Sequence, residues 1–228
     1  MTEVATKLTQ VQKQINDACN QANRDPQRVT LLAVSKTKSA QLIQQAIDAG
    51  QRHFGENYVQ EAVEKIQQLA HNPELIWHFI GPIQANKTRL IAENFSWVHS
   101  VDREKIAKRL NEQRAPNITP LNVCLQVNIS GEQSKSGVNQ DDISALADFI
   151  NNCKHLRLRG IMAIPEKTDD SEQRLHRFNS LFSLYQQLQQ RYPDVDTLSM
   201  GMSNDMPEAI ASGSTMVRIG TAIFGKRD

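Results

Sequence analysis

Cysteine is scarce in this chain. Cys19, Cys124 and Cys153 are the whole complement among 228 residues. They are far apart, odd in number and show no Cys-x-x-Cys spacing, which argues against a disulfide framework and against a metal site. Small apolar residues kept reduced in a cytoplasm account for them. Long hydrophobic runs are missing too, since stretches such as Leu31 to Val34 are far too short to cross a bilayer. Charge of one sign is also lacking. Lysine plus arginine number 26 and aspartate plus glutamate 25, a net charge of +1. That balance leaves no electrostatic footprint for nucleic acid or an acidic membrane. The N-terminal stretch carries Glu3 in an amphipathic pattern and does not read as a signal peptide. The Asn-x-Ser/Thr triplets at Asn86, Asn94, Asn117 and Asn128 are then chance matches. A cytoplasmic protein without nucleic-acid or membrane partners is expected.

What is present is a regular alternation of patterns. Val4, Leu8, Val11, Ile15 and Cys19 recur at helical steps and predict an opening helix, broken at Arg24-Asp25-Pro26. Strands are predicted at Val29–Ser35, His53–Glu56, Leu75–Ile80, Trp97–Val101, Leu121–Ile129, Leu156–Ala163, Thr197–Met200 and Met216–Ile219. Helices fall between them, at Ala40–Ala49, Tyr58–Leu69, Asn86–Glu93, about 103–113, Asp141–Asn151, Ser171–Arg191 and Pro207–Ala211. Ser39 and Asp102 are the expected caps of the first and fourth of these. About eight strand–helix units imply parallel pairing with right-handed crossovers. The fold expected is a single (β/α)8 TIM-type barrel with an additional N-terminal helix, spanning 1–228 as one domain. An open doubly wound sheet is the competing architecture.

In such a barrel chemistry belongs at the C-terminal ends of the strands. Lys36 sits at one, sharing strand parity with Leu32 and Val34. A lysine there is either a snorkelling rim residue or an amine made nucleophilic by desolvation, with Lys38 as a further cation nearby. The segment Leu198 to Asp205 follows the seventh strand and opens a helix that Ser203 or Asp205 could cap, with Pro207 in its first turn. Gly220 and Thr221 follow the eighth strand. Loops after these two strands bind phosphate in many barrels, and the alternative is a pair of ordinary turns. Arg218 shares parity with Met216 and Gly220, pointing to the ligand face or into a structural ion pair. A reactive lysine, a phosphate cradle and an inward arginine suggest a phosphorylated aldehyde held by the amine, pyridoxal phosphate being the obvious candidate. His78 reads as a hydrogen-bonded core histidine or as a base near the cofactor. Lys135 reads as an exposed loop lysine or as a secondary cofactor contact. His53 and Glu56, on a strand, do not make a metal site.

Several motifs occur in order: Ala33-Val34-Ser35-Lys36, Phe54-Gly55-Glu56-Asn57-Tyr58, Trp77-His78-Phe79-Ile80-Gly81, Ser134-Lys135-Ser136-Gly137, Leu158-Arg159-Gly160-Ile161-Met162, Leu198-Ser199-Met200-Gly201-Met202-Ser203 and Val217-Arg218-Ile219-Gly220-Thr221. The set closely resembles the pyridoxal phosphate homeostasis protein family, over nearly the whole chain. The resemblance implies a barrel like the N-terminal domain of alanine racemase. It implies that Lys36 carries pyridoxal phosphate as an internal aldimine, with Ser203, Gly220 and Thr221 at the phosphate. Arg218 would face the pyridine nitrogen, Asn57 would lie near the ring, and Met202 is a further candidate contact.

The same residues bear on turnover. Arginine stays charged and cannot take up a proton, so Arg218 would leave the ring nitrogen unprotonated and weaken carbanion stabilisation. Resembling racemases carry an additional β domain, which is not expected in this sequence; without it no opposing base and no lid against water are evident. The expectation is a protein that holds and releases the cofactor within the cell, as a monomer, with cofactor-dependent apo-enzymes as recipients. The alternatives are an amino-acid racemase or lyase using the same cofactor, and a Schiff-base aldolase without one.

Overall fold

A computed structural model describes residues 2–129, 136–165, 168 and 170–226. The opening helix α1 spans Glu3–Gln21, with the Thr2 hydroxyl accepting from the Ala5 amide as its cap. Val4, Leu8, Val11, Ile15 and Cys19 are all buried, as their spacing predicts. Eight strands follow: β1 (Thr30–Val34), β2 (His53–Glu56), β3 (Ile76–Phe79), β4 (Trp97–Val101), β5 (Leu121–Gln126), β6 (Leu156–Met162), β7 (Thr197–Ser199) and β8 (Met216–Ile219). Between them lie α2 (Ala40–Asp48), α3 (Val59–Gln68), α4 (Thr88–Asn94), α5 (Glu104–Gln113), α6 (Ile143–Asn151), α7 (Ser171–Arg191) and α8 (Met206–Ala211), and α9 (Thr221–Phe224) follows β8.

Every strand pairs in parallel with its sequence neighbour, and β1 pairs with β8, so the sheet closes as a barrel. The open-sheet alternative is thereby excluded. At the closing seam Leu32 lies beside Arg218 and Ala33 beside Ile219. Helix α1 packs against α2, α8 and α9. Just after α1, Arg24 donates to the carbonyls of Ile210 and Ser214 at 2.5 and 2.7 Å.

The main core lies between the barrel and its helices, where Phe54, Phe79, Phe95 and Phe178 are fully buried. Each such side chain is worth about 1.5–3 kcal/mol of burial. The barrel interior holds two smaller apolar clusters, Leu32 with Ile80 and Met216, and Trp97 with Cys124 and Met162.

Two glycines allow close approaches of backbone. A Cβ on Gly160, whose φ is +152°, would stand 1.7 Å from the Thr197 carbonyl oxygen, so β6 and β7 could not pair as they do. A Cβ on Gly81 would stand 2.2 Å from the Asn57 carbonyl oxygen.

One expected cap is corrected, and another holds by position but not by its side chain. Ser39 caps α2 as predicted, its hydroxyl accepting from Leu42. Asp102, however, is not the cap of α5: Arg103 holds that position without a side-chain cap bond, and Asp102 pairs with the Arg103 guanidinium at 2.6 Å. At α8, Asp205 is the cap residue, but its carboxylate turns back to accept from the Met202 amide at 2.6 Å, and Ser203 caps nothing. An ionic or backbone partner one to three residues away has outcompeted the helix terminus in both cases.

Candidate functional site

The turn after β1 is Ser35-Lys36-Thr37. Lys36 is half-buried, and Thr37 takes a left-handed backbone with φ of +63°. That conformation costs an L-residue with a branched side chain roughly 1–2 kcal/mol, so something must hold it. The holder is a buried ionic cluster between the sheet and α3. Lys65 Nζ donates to the Ser35 carbonyl at 2.8 Å, to Glu56 Oε1 at 2.8 Å and to Glu61 Oε1 at 2.5 Å. Ser35 Oγ donates to Glu56 Oε1 at 2.6 Å, and the Thr37 amide donates to Glu61 Oε1 at 2.6 Å. Residues on both sides of Lys36 are thus pinned. Burial pushes the Glu56 carboxyl up, while Lys65 and the Ser35 hydroxyl pull against it. Lys65 and Glu61 went unnoticed in the sequence. The available signal is that Lys65 follows Ala62 by three residues and Val59 by six on the apolar face of α3, where a lysine is out of place.

On β8, the strand beside β1 at the closing seam, Arg218 is buried and hydrogen-bonded at both terminal nitrogens. Nη1 donates to the Ser199 carbonyl at 2.7 Å and to Ser199 Oγ at 2.9 Å, and Nη2 donates to the Ala163 carbonyl at 2.9 Å. Among the described residues no carboxylate pairs with it directly. Burial pulls its guanidinium down to about 10, with Asp205 and Cys124 acting the other way. It keeps its charge at neutral pH.

His78 is a core histidine that is hydrogen-bonded at both ring nitrogens. Nε2 lies 3.0 Å from His53 Nδ1, and Nδ1 lies 2.9 Å from His99 Nε2. Its ring stacks on Trp97 with centroids 5.3 Å apart. His99 Nδ1 in turn lies 3.1 Å from Ser199 Oγ. Burial holds His78 far below the usual imidazole range, with His99 and His53 adding to it. His99 is pushed down to about 3 by burial and then by the Arg218 cation. Both rings are therefore neutral at physiological pH. His53 turns inward to His78 while Glu56 turns outward to Lys65, so the two share no site. Among the described residues no histidine, cysteine or acid cluster is arranged for a metal.

The remaining candidates are placed as follows. Asn57 follows β2, and its Oδ1 is buried without a partner. Met202 is half-buried and Ser203 exposed in the loop between β7 and α8. Gly220 caps α9; its α-carbon faces β1, where an added Cβ would come 3.1 Å from the Val34 carbonyl oxygen. Thr221 is exposed at the first position of α9. Lys38 reaches the Lys226 carbonyl at 2.7 Å. Lys135 lies outside the described residues. Two open grooves, of about 380 and 320 Å³, lie elsewhere: one between α1 and Gly50, the other beside Asp102 and Asn139.

The donor set suits a phosphorylated aromatic aldehyde. It offers an amine in a pinned turn, an immobilised cation on the neighbouring strand, and hydroxyls with backbone amides in the loops after β7 and β8. The orphaned buried atom Asn57 Oδ1 lies one residue past β2, the strand that pairs with β1 before the turn that carries Lys36. An unpartnered buried acceptor fits a polar ligand.

Residues 7–228 match the family described as "Alanine racemase, N-terminal domain". The chain is 54% identical to the pyridoxal phosphate homeostasis protein of Vibrio cholerae, over all of this chain and 98% of that one. The relative from Escherichia coli K12 that bears the same name is 52% identical, over all of this chain and 98% of that one. The structure of PipY from Synechococcus elongatus with pyridoxal phosphate bound superposes with a TM-score of 0.85, at 36% identity, over 97% of this chain and 100% of that one.

Proposed function

Because the chain belongs to the pyridoxal phosphate homeostasis protein family, we propose that it binds pyridoxal phosphate reversibly through Lys36 and takes part in controlling its free level in the cytoplasm. The observation that carries this reading is the ionic cluster that fixes the backbone on both sides of Lys36. A surface lysine needs no such support, whereas an amine that must meet an aldehyde in one geometry does. Arg218 is held to face the ring nitrogen, Asn57 offers an acceptor beside the ring, and Ser203, Gly220 and Thr221 take the phosphate. Met202 lines the same loop, and Lys38 is a secondary contact.

When bound, the cofactor supplies an electrophilic aldehyde and an electron-accepting ring. The residues around it favour holding over turnover. Arg218 offers the ring nitrogen no proton acceptor. Neutral His78 spends both nitrogens on other histidines, so it is not a base poised at a substrate. The protein acts as a carrier, a monomer that hands its cofactor to dependent apo-enzymes.

The test is a visible spectrum with and without added pyridoxal phosphate, followed by borohydride reduction and peptide mapping. An absorption band that reduces onto Lys36 is expected, and Lys36→Ala should lose it while keeping weak phosphate binding. A Lys36→Ala protein with a normal band overturns the assignment. Incubation with a panel of amino acids in heavy water separates carrier from racemase or lyase: exchange of many equivalents of Cα hydrogen would establish turnover.

A further inference from the structure

The polar contacts inside the barrel form one continuous line. It starts at His53 on the first residue of β2, passes His78 on β3 and His99 on β4, crosses to Ser199 on β7 and ends at Arg218 on β8, with steps of 3.0, 2.9, 3.1 and 2.9 Å. His53 opens β2 at the barrel's N-terminal mouth and is half-buried, whereas His78, His99 and Ser199 are fully buried.

The hydrogen count fixes the direction of this line. Arginine has five N–H donors and no acceptor, so Ser199 Oγ must accept from Arg218. Among the described residues its other neighbour is His99 Nδ1 alone. The serine O–H is satisfied only if it donates there. His99 then carries its proton on Nε2 and donates to His78, and His78 carries its proton on Nε2 and donates to His53 Nδ1. Every proton has an acceptor, and the last N–H, on His53 Nε2, points out of the chain.

Taking up one proton from solvent gives a single sensible alternative. The added charge settles on His53, the least buried ring, which then holds protons on both nitrogens. Its Nδ1–H must donate to His78 Nε2, so His78 and His99 both shift to their Nδ1–H forms. His99 now donates to Ser199 Oγ. That oxygen accepts from two donors, and its own O–H loses its partner. One proton enters, none is lost, and the hydrogen bond that orients Arg218 is weakened.

We propose that His99 and Ser199 are positioning residues for Arg218, and that the line through His78 to His53 makes Arg218's grip on a bound cofactor responsive to protonation at the far mouth of the barrel. The cofactor part rests on the reading of Arg218 as the group at the ring nitrogen. The other charged or titratable groups around the line are Cys124 on β5, Arg159 on β6, which stacks 4.6 Å over Trp97 and pairs with Asp196 before β7, and Asp205 after β7. On the outer face beside β2, Arg52 pairs with Glu74 and donates to the Ile47 carbonyl.

The experiment has two arms, both on the full chain. In the cofactor-free protein, nitrogen-15 NMR of the histidine rings reads tautomers directly. Wild type should show Nε2–H forms for His78 and His99 at neutral pH, and His53→Gln should shift the His99 ring nitrogens. With pyridoxal phosphate bound, the visible band is titrated with pH. His53→Gln, His78→Gln and Ser199→Ala should each move its midpoint by about half a pH unit or more, with stoichiometric binding retained. An unmoved His99 signal in His53→Gln, or a band that responds to Ser199→Ala but not to the two histidine variants, overturns the relay. A wild type that forms no band defeats the cofactor reading instead and leaves the NMR arm to decide the relay.

Discussion

The two walls of this barrel bury polar groups by opposite means. Between the sheet and α3, the wall behind Lys36 uses full charges at short range: Lys65 against Glu56 and Glu61. Inside the barrel, the wall behind Arg218 uses neutral rings in series, and the Arg218 cation is answered by carbonyls and a hydroxyl. An ion pair is strong but depends on both partners, since losing one leaves a bare buried charge. A neutral chain spreads its cost over many bonds, each worth about 1 kcal/mol, and can reorganise by moving protons. The first arrangement suits a residue that must stay put, the second a residue whose hold has to vary.

The contrast breaks most sharply at Lys65. Lys65→Met leaves Glu56 buried and unpaired, and should cost about 3–5 kcal/mol in urea unfolding. Adding Glu56→Gln should restore more than half of that loss. A single-variant loss below about 1 kcal/mol would show that the cluster is not what holds the turn.

Acid separates the walls next, because they titrate with opposite sign. His53, His78 and His99 have pKa values below the free value of 6.5, His99 near 3, so the folded state binds fewer protons than the unfolded chain. Their contribution is complete above pH 6.5 and is lost as pH falls. For the two fully buried rings the slope approaches about 3 kcal/mol per pH unit. Glu56, raised above 4.5, keeps its proton better in the fold, so its contribution is present at low pH and lost as pH rises through the folded value. Unfolding free energy measured from pH 4.5 to 7 should rise with pH in wild type, and more steeply in Glu56→Gln. A flat wild-type profile contradicts burial of the neutral rings.

Smaller effects sharpen the division of labour. Glu61→Gln keeps an oxygen for the Thr37 amide but removes a charge from Lys65, and should cost about 1–2 kcal/mol. Because it loosens the turn, it should also slow covalent trapping at Lys36, read by stopped-flow absorbance. His53→Gln, at the half-buried end of the line, should change stability by less than about 1 kcal/mol. Its signature is the shifted band midpoint, not the melting curve.

Much of this was legible in the sequence. Short β-branched runs alternate with helical periods, and that alone orders the eight units; helix Ser171–Arg191 falls on its predicted span. The placement of Lys36 just past β1 and of Arg218 inward on β8 is legible because parity and strand ends are local properties. The histidine line was not found. His53, His78 and His99 each sit alone on a strand more than twenty residues from the next, and each by itself reads as core. Only the parallel register of β2, β3 and β4 lays their rings side by side. The expected cap at α5 falls one residue off, and Asp205 at α8 holds the cap position without its carboxylate bonding the helix, because residue type shows what a side chain could bond whereas the outcome turned on a nearer competitor.

The seam where β1 meets β8 has one more consequence. Lys36 extends from the first strand and Arg218 stands in the last, with Leu32 beside it. Nearly all of the chain lies between them, so the two groups come together only with the most distant and slowest contact of folding. A ligand that spans both acts as a clasp on that seam. It should lengthen the lifetime of the closed barrel by slowing its opening, while leaving the rate of first closure almost untouched. Loading with cofactor would then act as a proofreading step on the barrel itself, and half-made copies would hold no cargo.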